Sequence, residues 1–203
     1  ESWRGVFKEL ISRGLDASAV RIGVMDGLPG LEKLFSEFFQ RAVTARCWVH
    51  ALKNALAKTP SRLSDAFKLL ARRVMYASSE NQAREAFEHL KASMGQDAQR
   101  AVYCLEKDLN PLLVHYRFDQ KFWRTLRTTN PIERVNKELK RRVKSMETIG
   151  KRTLETLLAF TAMRLEFYWQ RTAIDKMTIE NLVPVKKQKA LNQIESTAEL
   201  LIH

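Results

Sequence analysis

Glycine, cysteine and histidine are scarce in these 203 residues, and carboxylates are outnumbered. Seven glycines leave no room for a phosphate-cradling glycine loop, and no Ser-His-Asp order with supporting context occurs. Two cysteines, Cys47 and Cys104, make no disulfide framework and fit a reducing interior. No apolar run approaches the roughly 20 residues that span a bilayer, and no signal-peptide pattern opens the chain. The expected location is therefore the cytoplasm, alongside the nucleoid. Against 23 Asp and Glu stand 35 Lys and Arg, a net charge of +12. More than half of that excess falls between Arg124 and Arg152, where ten cations face three carboxylates. Charge concentrated in this way favours a polyanion, through release of its condensed counterions, so nucleic acid is the leading partner.

What is present is mostly helical periodicity. Trp3, Val6, Phe7, Leu10 and Ile11 mark a first helix that stops near Gly14. Val20–Met25 alternates like a strand and ends at Asp26-Gly27. Leu31, Leu34, Phe35, Phe38 and Phe39 mark a second helix, and Ala42–Ala45 a short second strand. Helix, strand, helix, strand predicts a parallel pair, too small to form a sheet without cover and neighbours. Residues 1–50 therefore read as the later part of a larger α/β domain. From 51 to 123 the pattern is wholly helical. Helices are expected from Ser61 or Ser64, after the Ser79 cap, and through Leu109 with a break at Pro111. Another is expected from Leu154 to Trp169, followed by a polar tail over 173–203.

Two carboxylates stand out. Asp26 lies at the carboxyl end of a buried strand, where open α/β sheets place ligand groups, although an Asp there can equally cap a turn. Glu133 lies in Thr129-Asn130-Pro131-Ile132-Glu133-Arg134-Val135-Asn136-Lys137-Glu138-Leu139-Lys140-Arg141-Arg142. There Asn130 suits an N-cap, Pro131 the first helical position, and Glu133 either a capping box or a metal ligand. Ile132, Val135, Leu139, Val143 and Met146 give this helix its buried stripe. Glu133 shares a side with Asn136, Lys140 and Lys144, whereas Glu138 points among Arg134, Arg141 and Arg142. Cys47-x-x-His50 is half of a zinc pattern. No second close pair among Cys104, His89, His115 and His203 completes four ligands, so packing or hydrogen bonding is the simpler reading. The aromatics Trp48, Tyr116, Phe118 and Trp123 lie among cations and read as core before they read as base-stacking groups.

The motifs Asp26-Gly27-Leu28-Pro29-Gly30-Leu31, Arg46-Cys47-Trp48-Val49-His50 with Asn54, and Thr128 to Arg142 together resemble the Mutator-type transposases of bacterial insertion sequences. The resemblance covers roughly residues 1–170. It implies a partial ribonuclease-H-like fold, α/β and predominantly helical, retaining a parallel strand pair and carrying an all-helical insertion at 51–123. The second ribonuclease-H-like segment would be 124–172. It also implies an Asp-Asp-Glu triad holding two Mg2+ or Mn2+ ions for DNA cleavage and strand transfer, with Asp26 as the second aspartate and Glu133 as the glutamate. Cys47, His50, Asn130 and Asn136 match family signature positions. Arg134, Lys137, Lys140, Arg141, Arg142 and Lys144 are the expected contacts to double-stranded DNA at element ends and target, with self-association on DNA. The first aspartate is expected upstream of residue 1, so the chain is expected to be inactive alone. The alternative is a non-catalytic, basic helical DNA-binding or assembly module, decayed or domesticated.

Overall fold

The computed structural model describes residues 3–144 and 148–170. These form two compact units, one ending at Thr128 and the other beginning at Thr129. The first unit opens with α1 (Trp3–Ser12), β1 (Ile22–Met25), α2 (Pro29–Phe38) and β2 (Val43–Arg46). β1 and β2 pair in parallel, with Ile22 opposite Val43 and Met25 opposite Arg46, as the order of elements predicts. Phe7 of α1 packs on Phe35 and Phe39 together with Met25, so the helices cover the strand pair with aromatic rings. Gly23 admits that cover. A Cβ there would lie 2.5 Å from the Phe35 ring.

From Trp48 the unit is helical: α3 (Trp48–Leu56), α4 (Ser64–Met75), α5 (Glu80–Met94), α6 (Gln99–Glu106), α7 (Leu109–Leu112) and α8 (Trp123–Leu126). Among the described residues this segment contains no strand. The Ser79 hydroxyl accepts from the Gln82 N–H at 3.2 Å and caps α5, as its sequence requires. Pro111 does not break a helix. It sits inside the single turn of α7, where its missing N–H would have had no intrahelical partner. The segment has an apolar core of its own, with Phe67, Phe87, Leu90 and Leu105 sealed from solvent. It is nevertheless fastened to the strands, because α7 and the turn at 114–117 pack on β2.

Two backbone bonds complete that attachment. Cys47 N–H donates to the Met25 carbonyl at 2.7 Å, and Trp48 N–H donates to the Arg127 carbonyl at 2.9 Å. The Trp48 indole, 1% exposed, donates to the Leu112 carbonyl at 2.9 Å.

The second unit pairs α9 (Asn130–Val143) with α10 (Lys151–Gln170). The N-cap is Thr129 and not Asn130. The reason is local: the first helical turn closes on Thr129, whose carbonyl accepts from the Glu133 N–H at 3.1 Å. Val135, Leu139 and Val143 of the expected stripe are half-buried. Met146 and the side chains of Asn130 and Ile132 lie outside the described residues, as does the chain beyond Gln170.

His115, a candidate ligand by sequence, is 1% exposed, and its Nδ1 lies 3.0 Å from the Leu112 carbonyl. Burial, and then the Arg127 guanidinium, pull its pKa from 6.5 down to about 4. Between those pH values the unfolded chain binds the extra proton and the folded chain does not. Stability should therefore fall as pH falls from about 6.5 to about 4, by on the order of 3 kcal/mol. NMR titration of the His115 Cε1–H should show a neutral ring through pH 5. A midpoint near 6.5 would contradict this burial.

Candidate functional site

Parallel pairing brings the ends of β1 and β2 level, so Asp26 and Cys47, the next residues of each chain, emerge side by side. Asp26 is exposed. Gly27 follows with φ +93°, a conformation that side-chain-bearing residues avoid. The space where its Cβ would stand is taken by Arg46, whose Nη1 would lie 0.9 Å from that atom. Arg46 is 8% exposed. Its Nε lies 3.2 Å from Asp108 Oδ2, close enough for ion pairing but poorly aligned for a hydrogen bond. Its buried Nη1 has no acceptor among the described residues. Arg46 thus spans from Asp108, ahead of α7, to the Asp26-Gly27 turn. Periodicity and motif spacing do not reveal this role of Arg46. The signal was available, since a cation ending a buried strand needs a partner.

Cys47 is fully buried at the N-cap of α3, and His50 is half-buried in its first turn. Both make side-chain or backbone interactions within the protein. Cys104 is buried elsewhere, with Lys58 Nζ 3.6 Å from its sulfur. Among the described residues, no three His, Cys, Asp or Glu side chains gather where they could hold a metal ion.

In the second unit, Glu133 is exposed in the first turn of α9, and its Oε1 accepts from the Thr129 hydroxyl at 2.9 Å. Asp26 belongs to the first unit and Glu133 to the second, and each carboxylate is described within its own unit. Glu138 takes the place its helix face predicts. Its Oε1 lies 2.9 Å from Arg141 and 3.0 Å from Arg142. The hydrogen bond from Arg141, reinforced by the charges of both arginines, holds its pKa down to about 2.

Around Glu138 lies a groove of about 370 Å3, lined by Arg134, Lys137, Arg141 and Arg142 of α9 and by Thr161 and Arg164 of α10. Five of the lining side chains are cations and one is a carboxylate that two arginines already neutralise. Thr161 is 2% exposed, and its hydroxyl has no partner among the described residues. The Arg142 guanidinium also stacks 5.1 Å from the Phe160 ring centre, which holds it in place. The structure thus divides the expected DNA-binding residues. Arg134, Lys137, Arg141 and Arg142 converge on the groove, whereas Lys140 and Lys144 are exposed and do not line it. Asn136 is exposed as well. Thr161 and Arg164 were missed by sequence, although their i,i+3 spacing puts both on one helix face.

The arrangement at Gly27 makes a sharp expectation. Gly27→Ala should lower stability by about 2–3 kcal/mol, from strain at positive φ and from expulsion of the arginine. In an Arg46→Ala background the same substitution should cost clearly less, because its clash is gone. Equal costs in a denaturant double-mutant cycle would show that Arg46 does not fill this space.

Comparison with known proteins agrees with the motifs. The family model described as "Transposase, Mutator family" matches residues 1–172. The transposase of insertion sequence element IS6120 from Mycolicibacterium smegmatis is 30% identical over 160 residues, 79% of this chain and 49% of that protein. That of IST2 from Acidithiobacillus ferrooxidans is 30% identical over 65% of this chain and 44% of its own length. That of IS905 from Lactococcus lactis is 32% identical over 70% and 36%. The chain spans about half the length, or less, of these relatives.

Proposed function

Because this chain belongs to the Mutator family of transposases, we propose that it is the DNA-engaging, carboxylate-bearing part of an Asp-Asp-Glu transposase with a ribonuclease-H-like core. The observation that carries the reading is the groove of α9 and α10, where five cations and a buried hydroxyl surround one neutralised carboxylate. Phosphate is the ligand that such a lining recognises. Arginine forks match its oxygens, and a threonine hydroxyl adds a neutral donor. Lys140 and Lys144, on the neighbouring side of α9, extend the cationic surface to further phosphates of a duplex.

Asp26 and Glu133 are the carboxylates assigned to metal ions in this reading. Exposed, hard carboxylate oxygens suit Mg2+ or Mn2+, and Asp26 stands exposed at a strand end. A two-ion site takes more than two carboxylates, so this reading requires a further one beside Asp26 and Glu133. Bound there, a pair of divalent ions would activate the attacking oxygen and stabilise the leaving one in phosphodiester cleavage and strand transfer. The protein's own contribution is to hold Asp26 on a turn that Arg46 braces, and Glu133 on a helix turn that Thr129 fastens. Glu138 stays in its arginine clamp and serves charge balance.

Replacing Lys140, Arg141 and Arg142 by Ala should weaken binding to all duplex sequences alike. It should also flatten the plot of log affinity against log salt by about 0.9 per lost phosphate contact. Binding insensitive to ionic strength would sink the electrostatic account. In a transposase of the relatives' full length carrying this segment, Glu133→Gln should abolish metal-dependent cleavage while keeping the fold. Glu138→Gln should retain most activity. The reverse outcome in a nicking assay would transfer the catalytic role to Glu138.

A further inference from the structure

A second groove lies in the first unit, between α3 and the end of α4, with a volume of about 310 Å3. Leu52, Leu56 and Met75 supply its apolar floor, and Val49, 41% exposed, stands at its mouth. Tyr76 is 62% exposed, although the Arg127 guanidinium stacks on its ring at 5.1 Å. Lys53 and Arg72 complete the lining, and among the described residues no carboxylate contributes to it. An exposed aromatic ring already held by an arginine, over an apolar floor, with two further cations, is a poor surface for water and a good one for a flat ring bearing phosphates. Its volume is at the lower end of small-ligand pockets, about 300–1,000 Å3, and far too small for a duplex.

Its position adds meaning. Val49 is two residues beyond Cys47, which bonds to Met25 beside Asp26, and Arg127 is the residue whose carbonyl receives the Trp48 N–H. The groove therefore opens from the same helix start that abuts the strand ends.

We propose that this groove binds an unpaired nucleobase, stacked on Tyr76, with Lys53 and Arg72 on the phosphates flanking it. The inference rests on the DNA-engaging reading above and adds to it a site for single-stranded DNA. Bases within a duplex are already stacked and cannot enter; a base at a frayed or cleaved end can. Stacking on tyrosine is indifferent to base identity, so this site would sense strand separation and not sequence.

The test uses the whole chain and two DNAs, a blunt duplex and the same duplex with a short single-stranded overhang carrying 2-aminopurine. Binding should quench the 2-aminopurine fluorescence. Tyr76→Ala should weaken binding of the overhang DNA about tenfold or more and leave the blunt duplex unaffected. Tyr76→Phe and Tyr76→Trp should keep overhang affinity, which a general structural defect would not allow. Arg72→Ala should flatten the salt dependence of overhang binding by about 0.7. Unchanged overhang affinity in Tyr76→Ala, or equal losses on both DNAs, would overturn the proposal. A dimer that Tyr76→Ala dissociates while overhang binding persists would assign the groove to a second copy of the chain instead. If blunt duplex is not bound but the overhang is, the base site stands and the duplex reading falls. If neither DNA is bound, both fall.

Discussion

The first unit depends on consecutive backbone donors. At Cys47 the N–H closes on the end of β1, and at Trp48 the N–H closes on Arg127. A peptide group removed from water costs free energy unless it is paired, so these two bonds select one placement for three remote pieces of chain. The Asp26-Gly27 turn, the start of α3 and the segment that leads into Thr128-Thr129 are thereby gathered at the carboxyl end of a two-stranded sheet. The Asp26-Gly27 and Arg46–His50 motifs are about twenty residues apart in sequence, yet in this unit the Cys47–Met25 bond makes them neighbours. The helices between them act as a spacer with its own core, pinned back on the strands by Trp48 and by the Arg46–Asp108 pair.

Much of this was legible in sequence, for physical reasons. Parallel pairing followed from the alternation of short apolar runs with amphipathic helices, since parallel strands need a crossover between them. The Ser79 cap was readable because its chemistry is local. Glu138 was readable too, because the i,i+3 and i,i+4 neighbours of a helical residue are set by its pitch alone. The misreadings share the opposite cause. Pro111 reads as a breaker from sequence, but in a helix of one turn no interior N–H is lost. Asn130 has the chemistry of a cap, but the turn closes one residue earlier on Thr129. The burial of His115, the reach of Arg46 to Gly27 and the lining of the groove by Thr161 all depend on tertiary neighbours that periodicity does not encode.

Charge operates differently in the two units. In the groove of α9 and α10, cations are crowded and their mutual repulsion is relieved by one carboxylate, a strained balance that a phosphate would improve. At Arg46 the charge is buried beside a glycine and serves shape as much as electrostatics. The guanidinium fills the volume that any side chain at position 27 would need. A basic protein therefore uses arginine in two ways, as the lining of an open groove and as an internal brace.

The Trp48 indole finds its acceptor at Leu112, 64 positions further along the chain. Contacts of such long range make folding slow to begin, because the loop must close before they contribute. During synthesis, α1 to β2 can pair while Leu112 and Arg127 are still unmade. The start of α3 would then wait with an indole and an N–H unmatched until the whole helical spacer has emerged. Vectorial folding of this chain would accordingly proceed in two stages, with the strand pair and its Cys47–Met25 bond first and the seal at Trp48 last.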